Sequence, residues 1–377
     1  MSWISSSRAL GAAAAVLAVV SAMAAAAPVL ERQAQGVPVA ADGLLYVCNQ
    51  DDATVSVIDV ATQRVVRTID LQALGFSANA KPHHIAVEPD GSHWYVSLIG
   101  DGKVVKLDRE DRVVATAPFE TPGMLTLHPT EDLLFVGRSM TAVNAPPRIG
   151  MIQRSDMSVD EIDVFFPRPH AMVVNPRTGI VYTASLGVNQ VAAVDAAADR
   201  VEVTDVDGPP HALMQFALSP DGETLAVSGE LSHTVLFFDI SEDPMRPRQV
   251  ASVDVEAQPF DPVFTTDGTT VWLGNKAANR ITAIDVATHT VTTVHDDPRI
   301  RQPHGIATSA DGRWVFISNT NVREDHAMHG GEHAAHAAPA PQSGGAGSIT
   351  IIEAATGELV NVVEVGRNAT GIAFSDS

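Results

Sequence analysis

The stretch KPHHIAVEPDGSHWYVSLIGDGKVVKLDREDRVVATA, residues 81–117, holds one complete copy of the unit from which this chain is built. It reads as a Pro-led apolar strand, a D-G turn, a second strand, a polar loop, a third strand ending in Asp, and a fourth strand. The alternation in IAVEPDG fits a strand with one buried face, and the D-G pair supplies the positive φ that a tight turn needs. Working outward, the unit returns as RPHAMVVNPRTGIVYTASLGVNQVAAVDAAADRVEVTDV from Arg168 and as PPHALMQFALSPDGETLAVSGELSHTVLFFDI from Pro209. Further copies are QPFDPVFTTDGTTVWLGNKAANRITAIDVATHTVTTV from Gln258 and QPHGIATSADGRWVFISN from Gln302, with a degenerate TPGMLTLHPTEDLLFVGR from Thr121.

Leading prolines fall at Pro82, Pro122, Pro169, Pro210, Pro259 and Pro303, at intervals of 40, 47, 41, 49 and 44 residues. Four short strands in ~40–45 residues is the period of a β-propeller blade rather than of a helical solenoid. The two ends complete the count. GLLYVCNQDDATVSVIDVATQRVVRTIDL, from Gly43, has strands two to four and no strand one, whereas the closing NATGIAFSDS, residues 368–377, is a strand one with nothing after it. The expected fold is therefore all-β: a seven-bladed propeller with four antiparallel strands per blade, blade 1 closed by the C-terminal strand.

Composition bounds the rest. The 377 residues are 45% hydrophobic, enough for a sizeable core. Acidic residues outnumber basic ones 45 to 24, a formal net charge of −21 that argues against a nucleic-acid partner. One cysteine, Cys48, excludes an intrachain disulfide and a multi-thiolate zinc site. Residues 1–27 read as an export signal. Arg8 precedes the apolar run ALGAAAAVLAVVSAMAAAA, and Ala24 and Ala26 fit an A-x-A cleavage site. An uncleaved anchor is the other reading, disfavoured by the Ala-rich run and the small-residue site. The expectation is a periplasmic or secreted monomer: a single propeller domain over 28–377 with no stable membrane insertion after cleavage.

LYVCNQDDATVSVIDVATQRVV, VWLGNKAANRITAIDVATHTVTTV and VFISN resemble the YVTN-type repeat of YncE-like periplasmic propellers. Similar architectures occur in nitrous oxide reductases and streptogramin B lyases, so the resemblance implies the fold and leaves the activity open. Sugar-phosphate lactonases share the fold as well, but the export signal and low basic content argue against a phosphorylated cytoplasmic substrate. The resemblance also implies that each innermost strand starts at the mouth of a central channel, on the face where the strand two–three loops open.

On that geometry, the residue after each leading proline forms a ring: His83, Gly123, His170, His211, Phe260, His304 and, after Ala369, Thr370. Four of the seven are histidine, with His84 beside them but pointed away by strand alternation. Imidazoles converging from separate blades suit copper or zinc. On this reading His170 and His211, on neighbouring blades, share an ion, and binding weakens as pH falls through the ordinary His pKa of about 6.5. The alternative is that Pro-His is a turn variant whose ring bonds a nearby carbonyl.

Blade 7 carries a second anomaly. Residues 322–347 form an insertion with His326, His329, His333 and His336 in a Gly/Ala/Pro-rich context, which reads compositionally either as metal-binding or as a solvated loop. Cys48 is either a soft metal ligand or a small buried hydrophobe. Asp59, Asp108, Asp195, Asp239 and Asp285 close third strands and are expected to cap turns. Asn49, Asn275 and Asn319 are expected to form turns, and Arg138 to hold an anion or lie solvated. No G-x-S-x-G, P-loop or H-E-x-x-H motif is present. Two functions follow: a binding or scaffold module with metal capacity, its partner a periplasmic protein or small ligand on the mouth face, or a metal-dependent oxidoreductase or lyase centred there. Deleting residues 324–345 should leave the fold intact and lower weak zinc, copper or nickel uptake, because four imidazoles leave with the segment. Calorimetry showing equal uptake with and without it would remove the loop's metal role.

Overall fold

A computed structural model describes residues 43–322 and 344–376. The described residues form 28 strands in seven four-stranded sheets and no helix, so none is long and apolar enough to cross a membrane. Blade 1 runs from the C-terminal strand Ala369–Ser375 outward through Leu44–Asn49, Thr54–Asp59 and Arg64–Asp70. The other six blades each use four consecutive strands. All pairings within blades are antiparallel, as hairpin connections require.

The seven inner strands neighbour one another in a closed circle, with Ala369–Ser375 lying between Pro303–Thr308 of blade 7 and Pro82–Val87 of blade 2. The expected closure is what the structure shows. Leu44 faces Ser375 and Asn49 faces Ala369 across the terminal pair. Arg367 Nε donates to Asp52 Oδ1 at 2.6 Å, clamping the end of blade 7 to the first loop of blade 1.

Alternation within each strand sends apolar side chains to both faces of the sheet, and both faces are covered by the adjacent blades. The core is accordingly divided into seven apolar clusters, one at each blade-to-blade interface. Tyr46, Cys48 and Val55 of blade 1 meet Ile85, Trp94 and Val96 of blade 2. Leu45 and Val47, on the opposite face of the same strand, meet Trp314 and Phe316 of blade 7. Cys48 is thus a core residue, and burial pushes its thiol pKa up, away from reactivity. The repeated aspartates cap turns as expected: Asp59 Oδ1 accepts from Thr62 N at 2.7 Å and Asp285 Oδ1 from Thr288 N at 2.7 Å.

Segment 1–27 and His326, His329, His333 and His336 lie outside the described residues. The insertion does join the second strand of blade 7, Trp314–Asn319, to its third, Ala346–Glu353, on the mouth face. A chain ending at Asn368 would lack the inner strand of blade 1 and leave a bare sheet edge at the closure point. It should aggregate or lose cooperative unfolding in size-exclusion and melting experiments. A truncated monomer with unaltered melting would count against the closure.

Candidate functional site

Each inner strand is entered through a non-glycine residue in the left-handed region: Lys81 (φ 52°), Thr121 (49°), Arg168 (52°), Ala212 (50°), Gln258 (56°), Gln302 (53°) and Asn368 (55°). This residue turns the chain inward, and the one after it pairs with the last residue of the second strand. Blade 5 departs from the sequence expectation here. Its left-handed residue is Ala212, so Leu213 takes the proline place and pairs with Gly229, while Met214 takes the ring position assigned to His211. A count from the turn would have found this. Pro82, Pro259 and Pro303 lie nine residues before Gly91, Gly268 and Gly312, and nine before Gly222 is Leu213.

His211 therefore stands outside the ring with both nitrogens engaged. Nε2–H donates to the Asp207 carbonyl at 3.0 Å, and Nδ1 accepts from Ser232 Oγ at 2.7 Å. His170 stays in the ring but bonds the backbone of blade 5, its Nδ1–H donating to the Met214 carbonyl at 2.9 Å. The expected sharing of one ion by His170 and His211 is not what the fold allows. The alternative reading, a ring bonded to a nearby carbonyl, describes His211 and one nitrogen of His170.

His83 and His304 behave the other way. They flank blade 1, yet their rings meet edge to face with centroids 5.7 Å apart. Glycines make this approach feasible. A Cβ on Gly371 would sit 2.2 Å from the His83 carbonyl oxygen, and one on Gly305 would sit 2.5 Å from that of Thr370. Without those atoms the inner strands of blades 7, 1 and 2 close up, and the two imidazoles touch across the small Thr370. His83 Nδ1–H donates to Gln50 Oε1 at 3.2 Å, leaving Nε2 as the lone-pair nitrogen. His304 Nδ1 is buried without a hydrogen-bond partner among the described residues, and its ring lies 4.9 Å from Phe260.

His84 also differs from expectation. The register of the inner strand of blade 2 shifts between Pro82 and Ile85, a bulge that breaks simple alternation. His84 consequently lines a cavity of about 530 Å³ within the channel. Its Nδ1 accepts from Leu125 N at 3.3 Å, which puts the proton on Nε2.

Two residues missed in the sequence complete the site. Asp261 takes the His84 position in blade 6, and Lys276 follows that blade's Asn275, with Nζ 4.6 Å from the Phe260 ring centroid. The signal for Asp261 was a lone carboxylate in the apolar run PFDPVF. Other assignments change. Arg138 is buried and paired with Glu161 at 2.5 Å, so it is not an open anion site. Asn49 and Asn275 are buried strand ends whose side-chain amides bond the hydroxyls of Thr54, Ser56 and Thr282 on third strands.

Burial governs the charges. It depresses the pKa of His83 to about 3, with help from the positive forms of His84, His170 and Lys276. It holds His84 at about 4, aided by His170, and His170 at about 4, against the Met214 bond that opposes the shift. His304 is pushed well below the ordinary value by burial and then by Lys276. The same burial raises Asp261 to about 7 against the attraction of Lys276. At neutral pH the four imidazoles are uncharged lone-pair donors. No group of three or more His, Cys, Asp or Glu among the described residues has a geometry that could hold a metal ion.

A family model described as "Lactonase, 7-bladed beta-propeller" matches residues 147–326. No curated protein matches the chain. Among solved structures, a functionally unknown protein from Desulfotomaculum acetoxidans is 15% identical at a TM-score of 0.65, over 88% of this chain and 99% of that one. Hydrazine synthase from Kuenenia stuttgartiensis is 18% identical at 0.61, over 78% and 89%. A streptogramin B lyase is 15% identical at 0.62, over 73% and 87%. The chain is similar to these in fold: it is a seven-bladed β-propeller.

These shifts set the direction of the acid response. Histidines neutral when folded take up protons on unfolding below about pH 6.5, so their contribution is whole above that value and is lost as pH falls toward 4. Asp261 acts oppositely, its contribution being whole below the ordinary carboxylate range and lost as pH rises through about 7. Four imidazoles against one carboxyl should make the melting temperature drop steadily from pH 7 to pH 5. Asp261→Asn should raise it at pH 8 and leave it nearly unchanged at pH 4; a flat profile in both proteins would refute the assignment.

Proposed function

We propose that the protein is an exported binding propeller whose channel mouth takes a small ligand, with copper or zinc held by His83 and His304. The observation that carries this reading is the meeting of those two rings at 5.7 Å. Two imidazoles sharing a tetrahedral ion at ~2.0–2.1 Å per nitrogen place their centroids roughly 5–6 Å apart. The chemistry of the pair agrees. Gln50 holds the Nδ1 proton of His83 as an outer partner does for a metal-ligating histidine, and His304 Nδ1 lacks a partner among the described residues. Two protein ligands leave further positions of the ion to water or to an incoming molecule. The inward-facing histidines at the mouth support recognition of a periplasmic protein or small ligand there.

A second reading, a metal-dependent oxidoreductase or lyase, is favoured by one observation. Asp261, raised to about 7, lines the channel with the near-neutral pKa that acid–base chemistry uses. A streptogramin B lyase, a hydrazine synthase and a virginiamycin B lyase from Staphylococcus aureus made catalytically inactive by a His-to-Ala change share the architecture. Those activities belong to those proteins; the family description "Lactonase" gives a further hydrolytic candidate.

Untagged protein recovered from its native compartment should retain copper or zinc after dialysis, at up to one ion per chain by elemental analysis. The His83→Ala/His304→Ala pair should lose at least about tenfold in affinity, whereas His93→Gln, at the far end of blade 2, should not. Because burial keeps the pair neutral, uptake should hold between pH 7 and pH 5 rather than fall through about 6.5. Wild-type protein that carries no metal and takes up neither ion on titration would defeat this reading.

A further inference from the structure

The cavity of about 530 Å³ is separate in character from the His83–His304 mouth. It runs along the inner strands of blades 2 to 7 toward the opposite face, where Pro176, Pro220 and Thr266 of the strand one–two turns line it. Most of its wall is apolar, including Leu125, Met172, Phe216, Phe264 and Ile306. Its volume lies within the range of ~300–1,000 Å³ usual for small-molecule sites.

Apart from serine and threonine hydroxyls, the polar side chains of this wall are His84, Gln215 and Asp261, and two are already engaged. Gln215 Oε1 accepts from Met172 N at 2.8 Å and from Phe216 N at 3.0 Å, holding blades 4 and 5 together. His84 Nδ1 accepts from Leu125 N. The third, Asp261, accepts no hydrogen bond from any described residue. The fold does not ask for a carboxylate there: the same position is His84, Met124, Ala171, Gln215, Gly305 and Gly371 in the other blades. A carboxylate half-withdrawn from water, with no hydrogen bond from the described residues and only the Lys276 charge acting on it, costs stability and is expected where it serves a ligand.

We propose that this chamber binds a small amphipathic cation, an amine on an apolar or aromatic body, with Asp261 as its counter-ion. An apolar body fits the wall, and an ammonium group supplies the donors that the carboxylate lacks. An anion is disfavoured, since no Lys or Arg lines the chamber and the chain is strongly acidic. A neutral molecule would leave the carboxylate uncompensated. The surroundings permit a clean pH test. Of the strands packed on the inner strand of blade 6, Leu213–Leu218, Thr224–Gly229 and Thr270–Asn275 carry no titratable group, and Pro303–Thr308 carries His304 alone. Across the channel stand His83, His84 and His170, and beyond Asn275 stands Lys276, whose charge favours ionised Asp261. The histidines stay neutral between pH 5.5 and 8 as probe conditions, so Asp261 is the group that titrates in that window.

The test is calorimetric titration of the full, exported chain with benzylamine, benzyl alcohol and benzoate at pH 5.5 and pH 8. Benzylamine should bind best of the three at pH 8 and lose about tenfold or more at pH 5.5, where Asp261 is mostly protonated. Benzyl alcohol should bind weakly and equally at both. Asp261→Asn should abolish the preference for the amine over the alcohol while keeping the weak apolar binding. Should that variant fail to fold, the pH dependence in the wild type decides. Equal binding of amine and alcohol at pH 8, an amine affinity indifferent to pH, an unaltered preference in folded Asp261→Asn, or no binding of any probe would each overturn the proposal.

Discussion

The antiparallel pairing of the last strand, Ala369–Ser375, with the first, Leu44–Asn49, is the constraint on which the channel depends. Without it two blades would present open edges, and nothing would fix the number or spacing of inner strands around the axis. With it, seven apolar interfaces compress the ring from all sides, and every blade has a neighbour on each face. The position of a side chain in the channel then follows from its register within its own blade. That is why an offset of three residues in blade 5 removes His211 from the ring entirely.

Closure also sets the electrostatics. The inner strands exclude solvent from a lumen whose walls are mostly apolar, so the cost of charge there falls on acids and bases alike. Asp261 keeps its proton to about pH 7, and His83, His84 and His170 shed theirs until about 3 to 4. The exterior is the reverse: acidic, solvated, and laced with turn-capping aspartates. A negative surface around a lumen that disfavours charge draws cations toward the channel.

The solved structures that share this fold include a lyase and a hydrazine synthase at 15% and 18% identity, a range that carries the fold alone. Function in this chain has to be argued from its own lumen. Two features separate that lumen from the repeat that generates it: the glycine-permitted contact of His83 with His304, and the carboxylate of Asp261 at a position the fold leaves open to His, Met, Ala, Gln or Gly.

Blade number, strand order, the closing strand and the turn-capping role of Asp59 and its equivalents were all legible in the sequence. They depend on alternation, D-G turns and Asx chemistry, which act over a few residues and repeat. The site was legible only in part. That histidines cluster at the mouth followed from the repeat, but which ones meet did not. The contact of His83 with His304 rests on missing Cβ atoms at Gly305 and Gly371, in strands that follow in sequence far from residue 83. His84 enters the chamber through a bulge, and His211 leaves the ring because the left-handed turn falls at Ala212. Asp261 and Lys276 gained their meaning from their place at the channel wall, which no local pattern reports. Local chemistry fixes what repeats; the circumference of a closed ring, set by packing between distant segments, decides which side chains face one another across it.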